Sequence, residues 1–152
     1  MKELVVSQQI GVEPALVWAL ITDLEAWEGA ISAIEKVERL DAADGFGVGT
    51  RWRETRTMFG RTATEEMEVT SIEDGQSYVV EAHSHGAHYR TLMAVEPKGE
   101  GQSCLSMTFG AEPTGLFAKI MGATVGRLFA RATRKAIEGD LRDIAEKVEA
   151  TQ

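Results

Sequence analysis

The stretch from Pro113 to the C-terminus constrains the fold more than any other part of the chain, because it predicts one long amphipathic helix. Apolar residues recur along it at the spacing of a helical face. The members of this series are Leu116, Phe117, Ile120, Met121, Val125, Leu128, Phe129, Ala132, Ala136, Ile137, Leu141, Ile144 and Val148. Thr114 stands where a helix cap is expected, and no further proline interrupts the run. A helix of about 50 Å needs a large apolar partner surface, which the preceding residues must supply.

The residues from Arg51 to Phe109 predict a sheet that can supply this surface, because apolar and polar residues alternate along them with a period of two. Short breaks carry turn-forming residues, at Phe59-Gly60, Asp74-Gly75, Gly86-Ala87 and Pro97 to Gly101. This succession of hairpins predicts an antiparallel meander whose inner face packs on the helix and whose outer face meets water.

Two further strands and two short helices are predicted before the meander. Lys2 to Ile10 and Ile34 to Leu40 predict the strands, and Pro14 lies at a position typical of a helix start. A second short helix or turn follows around Asp23 to Trp27. The glycine-rich loop DGFGVG precedes a strand and not a helix, so it predicts a hairpin bend instead of a phosphate-binding loop. The expected fold class is α+β, with a curved antiparallel sheet wrapped around the C-terminal helix.

Length, charge and cysteine content limit the classes of function. The 152 residues, 43% of them hydrophobic, predict a single domain over residues 1–152. The formal net charge of −8 repels a phosphate backbone, so nucleic acid is not an expected partner. No apolar run is long enough for a secretory signal or a membrane span, which predicts a cytoplasmic protein without integral membrane association. Cys104 is the only cysteine, which argues against an intrachain disulfide and a cysteine-based metal site.

Four segments, taken in their order along the chain, resemble a known family. They are VWALITDLEAW (Val17 to Trp27), GVGTRWRE (Gly47 to Glu54), the turn Gly60-Arg61-Thr62, and DLRDIAE (Asp140 to Glu146). With them the chain resembles the START-related helix-grip superfamily, SRPBCC, and within it the polyketide cyclase/dehydrase branch. The resemblance covers nearly the whole chain and implies a helix-grip fold whose cavity holds apolar or amphipathic small molecules. Catalytic residues vary among the members, so the resemblance assigns none to this chain.

The hairpin turns predict which strand residues face one another. A two-residue turn at Phe59-Gly60 places Glu54 opposite Glu65. A two-residue turn at Gly86-Ala87 predicts the pairs Ser84 with Tyr89, Ala82 with Thr91, and Val80 with Met93. The predicted ligand-binding wall on the strands is apolar with a few polar groups, and comprises Trp52, Met67, Tyr78, Val80, Tyr89, Thr91, Met93, Met107 and Phe109. From the helix, the predicted ligand-binding residues are Phe117, Met121 and Val125.

Glu54, Arg56 and Glu65 are the candidate catalytic residues of this wall. Two carboxylates directly opposite each other on an apolar face repel, so one of them would keep its proton unless Arg56 neutralises the pair. A carboxyl group that keeps its proton can act as a general acid or base on a bound enolisable ring. The same residues can instead form a structural ion-pair cluster at the mouth of a cavity.

The three histidines fall close together at one hairpin tip, as His83, His85 and His88. Three imidazoles on one face can hold a transition metal. Their alternation places them on the face opposite Tyr78, however, and the predicted turn puts Arg90 across from His83, with no carboxylate as a fourth ligand. We therefore interpret them as solvated residues and predict no metal site.

These features predict binding or transport of a small hydrophobic or aromatic molecule, lipid- or polyketide-like, in an internal cavity between the sheet and the C-terminal helix. One alternative is a cyclase- or dehydratase-type enzyme that uses the glutamate, arginine and tyrosine side chains of the pocket without any cofactor. The other is a partner-binding protein that takes no small molecule. An open, lined cavity distinguishes the first two from the third, and buried carboxylates with shifted pKa values favour the enzyme.

Overall fold

The computed structural model describes residues 3–42, 44–58, 60–84, 86–113 and 116–151, and for Met58, Pro113 and residues 116–129 it describes the backbone alone. Seven strands and three α-helices follow one another along these residues. In chain order they are β1 (Glu3–Ile10), α1 (Pro14–Ile21), α2 (Trp27–Ala30), β2 (Ile34–Arg39), β3 (Arg51–Met58), β4 (Arg61–Glu73), β5 (Ser77–Ser84), β6 (Ala87–Pro97), β7 (Ser103–Pro113) and α3 (Leu116–Ala150). A 3₁₀ turn, Leu24–Ala26, comes directly before α2.

The seven strands form one curved antiparallel sheet in the order β1-β7-β6-β5-β4-β3-β2. Strands β2 to β7 pair with their neighbours in the sequence, and β1 pairs with β7 at the far edge. Helix α3 lies against β1, β7 and α1, and the two short helices lie between β1 and β2 in the chain. The α+β architecture predicted from the sequence is therefore confirmed.

The local sequence explains where these elements begin and turn. Pro14 occupies the first turn of α1, where its fixed φ suits a helix and its missing N–H removes no hydrogen bond. Gly60 and Gly86 adopt φ angles of 75° and 76° in two hairpin loops, a conformation that glycine takes without steric strain. The DGFGVG loop joins β2 to β3, in agreement with the bend predicted there. Thr114, the predicted cap of α3, lies outside the described residues.

The strand register confirms one predicted hairpin and corrects the other. In the β3–β4 hairpin Glu54 pairs with Glu65, and Trp52 pairs with Met67, as counted from the sequence. In the β5–β6 hairpin the pairs are Ser84 with Ala87, Ala82 with Tyr89, Val80 with Thr91, and Tyr78 with Met93. Each predicted partner was wrong by two residues. Of the predicted turn Gly86-Ala87, only Gly86, with its positive φ, is a loop residue, because Ala87 already begins β6. A shift of two residues keeps every side chain on its predicted face.

Apolar side chains of α3 and of the inner face of the sheet form the core. Ile137, Leu141 and Ile144, members of the predicted apolar series, are buried, and Leu141 has no exposed surface. They form one cluster with Val17 of α1 and Leu105 of β7. Although α3 is the longest helix, no helix within the described residues is both long and apolar enough to cross a membrane.

Candidate functional site

A cavity of about 330 Å³ lies between the inner face of the sheet, the segment from α1 to β2, and α3. All nine strand residues predicted for the binding wall line it: Trp52, Met67, Tyr78, Val80, Tyr89, Thr91, Met93, Met107 and Phe109. The three candidate catalytic residues, Glu54, Arg56 and Glu65, line it as well. The side chains of Phe117, Met121 and Val125 lie outside the described part of the structure, so their role as ligand contacts stays a prediction.

Two groups of lining residues were not predicted as parts of the pocket. The segment around the short helices contributes Leu20, Ile21, Trp27, Ala30, Ile31 and Ile34, and α3 contributes Thr133, Ala136, Ile137, Asp140 and Ile144. The α3 residues recur every three or four positions, which is the spacing of one helical face. That spacing was the signal that could have identified them, since Ile137 and Ile144 already belonged to the apolar series.

Arg56 joins two carboxylates inside the cavity. Its Nε–H donates to Glu54 Oε2 over 3.1 Å, and its Nη1–H donates to Asp140 Oδ2 over 2.8 Å. Glu54 also accepts a hydrogen bond from the indole N–H of Trp52, at 3.3 Å. These three charged side chains, Glu54, Arg56 and Asp140, form what we call the charge cluster. It ties β3 to α3. The association of Arg56 with Glu54 was expected from the sequence, whereas Asp140 was not among the predicted residues.

Burial governs the electrostatics of the charge cluster. Burial raises the pKa of Asp140, and the nearby guanidinium of Arg56 only partly offsets this effect. Burial alone would lower the pKa of Arg56, but the carboxylates of Asp140 and Glu54 outweigh it and raise that pKa. Arg56 therefore keeps its positive charge, while Asp140 holds a proton more tightly than a solvent-exposed aspartate does.

Aromatic side chains pack around Tyr78, which lines the cavity. Tyr78 donates its hydroxyl to the carbonyl of Ile21 at 2.8 Å, and its ring packs edge-on against Trp18 and Phe46. Phe46 belongs to the DGFGVG loop, and its ring centre lies 4.8 Å from that of Tyr78. The bend predicted for this loop thus also brings an aromatic ring against Tyr78, a lining residue of the cavity, which sequence reasoning had not assigned to it.

Tyr89 and Phe109 form a flat apolar surface on neighbouring strands. Their rings are stacked with centres 5.9 Å apart and an angle of 24° between their planes. Burial, together with the charge of Glu65, raises the pKa of the Tyr89 hydroxyl, so this group is a hydrogen-bond donor at neutral pH. The cavity therefore offers a ring-stacking surface with polar groups at its edges.

A sequence match along almost the entire chain decides the family. The sequence profile described as "Polyketide cyclase / dehydrase and lipid transport" matches residues 1–149. The chain belongs to this polyketide cyclase/dehydrase family. No curated protein sequence is significantly similar to it.

Solved structures share the fold of this family member over nearly its full length. A protein from Thermus thermophilus has a TM-score of 0.82 at 20% identity, covering 99% of both chains. A START superfamily protein from Mycobacterium smegmatis has a TM-score of 0.82 at 11% identity, also covering 99% of both chains. The Zhui aromatase/cyclase from a Streptomyces species has a TM-score of 0.73 at 14% identity, covering 97% of this chain and 93% of that chain. At these identities the likeness shows the START-like fold alone.

Of the histidines, His83 and His88 are described, and neither lines the cavity. His83 pairs with His88 across the hairpin, their rings are stacked at 4.4 Å, and Arg90 faces Glu81. The predicted pairing of Arg90 with His83 was therefore wrong, because the register of this hairpin differs by two residues from the predicted one. A carboxylate is in fact adjacent, since Glu81 contacts His88 at 2.7 Å. His85 lies outside the described residues, and no set of three metal-ligating side chains occurs among the residues that are described.

Proposed function

We propose that this protein binds a small hydrophobic, ring-containing molecule in the cavity between the sheet and α3. The observation that carries the proposal is the cavity itself, because about 330 Å³ lies within the size range of small-molecule sites. Its lining supports the same conclusion. Aromatic and methionine side chains suit flat apolar ligands of varied shape, and a few polar groups can fix the orientation of such a ligand.

The family and its fold support this proposal at the level of ligand class. The family description names polyketide cyclases, dehydrases and lipid transport, all of which involve hydrophobic small molecules. An open, lined cavity is also what distinguishes a small-molecule binder from a protein that uses the rim of its sheet to bind a partner. We therefore rank ligand binding or transport above partner binding.

Filling the cavity is expected to weaken ligand binding strongly without unfolding the protein. Ala136 of α3 lines the cavity, and Ala136→Leu adds three carbons there in a residue type that helices favour. The uncharged dye N-phenylnaphthylamine should bind the wild type, with fluorescence enhancement, and bind Ala136→Leu at least about tenfold more weakly, equivalent to about 1.4 kcal/mol. The melting temperature of the Ala136→Leu variant should stay at or above that of the wild type.

Lys135→Leu is the matched control, because Lys135 is the neighbouring helical residue and is exposed to solvent. This variant adds the same side chain outside the cavity and should bind the dye as the wild type does. Absence of dye binding to the wild type, or equal binding by all three proteins, would contradict the proposal and favour the partner-binding alternative.

A cyclase- or dehydratase-type reaction is the second candidate, and the environment of Asp140 favours it. Asp140 is a buried carboxyl group with a raised pKa that borders the cavity, which are properties of a general acid or base. We expect the wild type to accelerate exchange of the α-hydrogens of tetralone with D₂O, followed by NMR. Asp140→Asn should lose this acceleration while still binding tetralone. Equal exchange rates with and without the wild-type protein would contradict the enzymatic candidate and leave the binding proposal in place.

A further inference from the structure

The charge cluster limits the kind of polar group that a ligand can bring into the cavity. Two carboxylates, from Glu54 and Asp140, share the single guanidinium of Arg56. With Asp140 ionised the cluster carries a net negative charge, and with Asp140 protonated it is neutral. In neither state is a positive charge left over to compensate an anionic ligand that has lost its hydration.

Thr133 supplies a second polar position on the same wall. It lies on the cavity side of α3, and only 6% of its surface is exposed. Its Oγ1 has no hydrogen-bond partner among the described residues. A buried hydroxyl without a partner is unusual, because it has given up its hydrogen bonds to water and gained none in return. A polar group on a bound molecule would provide the missing partner.

The carboxylate of Asp140 is a further hydrogen-bond acceptor on the cavity wall. Its Oδ2 accepts one hydrogen bond from Arg56, and a carboxylate has about four lone-pair sites, so Asp140 can accept a further hydrogen bond from the cavity side. Thr133 and Asp140 are seven residues apart on one helical face, which corresponds to about 10 Å along the axis. The stretch of wall between them is formed by Ala136 and Ile137, so two polar positions flank an apolar surface of the length of a fused-ring molecule.

We infer that the cavity takes a ring compound that carries no negative charge and that donates a hydrogen bond at one or both of two positions, Thr133 and Asp140. Phenols, hydroxylated fused-ring compounds and protonated ring amines belong to this class. Fatty acids and aromatic carboxylates do not belong to it. The inference rests on the proposed function, because it specifies the chemistry of the ligand in the same cavity.

Four probes with one ring system test the sign of the charge: naphthalene, naphthol, naphthoate and naphthylmethylamine, the last a cation at neutral pH. Their dissociation constants would be measured by calorimetric titration at fixed pH and ionic strength. The two ions share a ring and both lose hydration on binding, so their difference isolates the effect of charge sign. We expect the cation to bind at least about tenfold more tightly than naphthoate, and naphthol more tightly than naphthalene.

Thr133→Val tests the second polar position, because valine keeps the shape of threonine and removes the hydroxyl. This variant should weaken naphthol binding by about threefold to tenfold and leave naphthalene binding unchanged. Thr133→Ser, which keeps the hydroxyl, should restore the affinity for naphthol. A general disturbance of the fold would instead weaken naphthol and naphthalene equally in both variants.

The outcomes separate this inference from the proposed function. Naphthoate binding as tightly as the cation would overturn the inference, while binding of naphthalene would leave the proposed function standing. Unchanged naphthol affinity in Thr133→Val would overturn the assignment of Thr133. If neither naphthalene nor the uncharged dye binds the wild type, the proposed function is wrong and the inference falls with it.

Discussion

Leu141→Ala is expected to lower the free energy of unfolding by about 2–5 kcal/mol. Leu141 is fully buried in the cluster between α3 and the sheet, so its removal loses apolar burial and leaves a void that the surroundings fill only in part. The measurement is urea denaturation followed by circular dichroism, with the midpoint and the slope fitted for wild type and variant.

Glu138→Ala is the control for this prediction, since Glu138 lies one turn earlier on α3 and is exposed. Substitutions at exposed helical positions change stability little, and alanine favours the helix. The midpoint of Glu138→Ala should therefore remain near that of the wild type. If Leu141→Ala unfolded at the wild-type midpoint, α3 would be rotated about its axis relative to the packing described above.

Arg56→Met is expected to cost about 3–5 kcal/mol, because it leaves the carboxylates of Glu54 and Asp140 buried without their guanidinium. Methionine keeps much of the length of the arginine side chain, so lost packing contributes little to the effect. The same denaturation experiment measures it at neutral pH, where the loss of the positive charge matters most.

Arg53→Met is a matched control on the same strand. Arg53 also contacts two carboxylates, those of Glu66 and Glu38, but on the outer face of the sheet with 40% of its side chain exposed, against 20% for Arg56. Solvent screens such pairs, so its loss should barely move the midpoint. Adding Glu54→Gln and Asp140→Asn to Arg56→Met should recover part of the lost stability. Equal effects of the two arginine substitutions would contradict a buried charge cluster.

The strand wall of the cavity is predictable from the sequence because side chains alternate strictly along a strand. Counting outward from Gly60 is enough to place Glu54 opposite Glu65. In the second hairpin the turn lies one residue earlier than the sequence suggests, yet Tyr89 and Met93 still face the cavity, because the register changes by two residues and not by one. An error of one residue in the predicted turn therefore changes which residues pair across the hairpin, but it leaves each side chain on its predicted face.

The contribution of α3 is harder to predict, because the rotation of a helix about its axis depends on packing against distant residues. Asp140 lies 84 residues from Arg56 in the chain and among other charged residues, so its local sequence resembles a solvent-exposed face. Its spacing of three and four residues from Ile137 and Ile144 was the available signal. The contact of Phe46 with Tyr78 was not predicted either, because a loop residue follows no periodic pattern that would indicate the direction of its side chain.

The position of β1 in the sheet has a consequence for the order in which the chain can fold. Of the seven described strands β1 is synthesised first, yet the strand that it pairs with is β7, whose residues are made about a hundred positions later. The hairpins from β3 to β7 can form as soon as they are synthesised, because they need only local contacts. β1 must wait, and closing so long a loop carries an entropy cost that no local hairpin bears. The strand of this sheet that is synthesised first is therefore the last that can take its place in it.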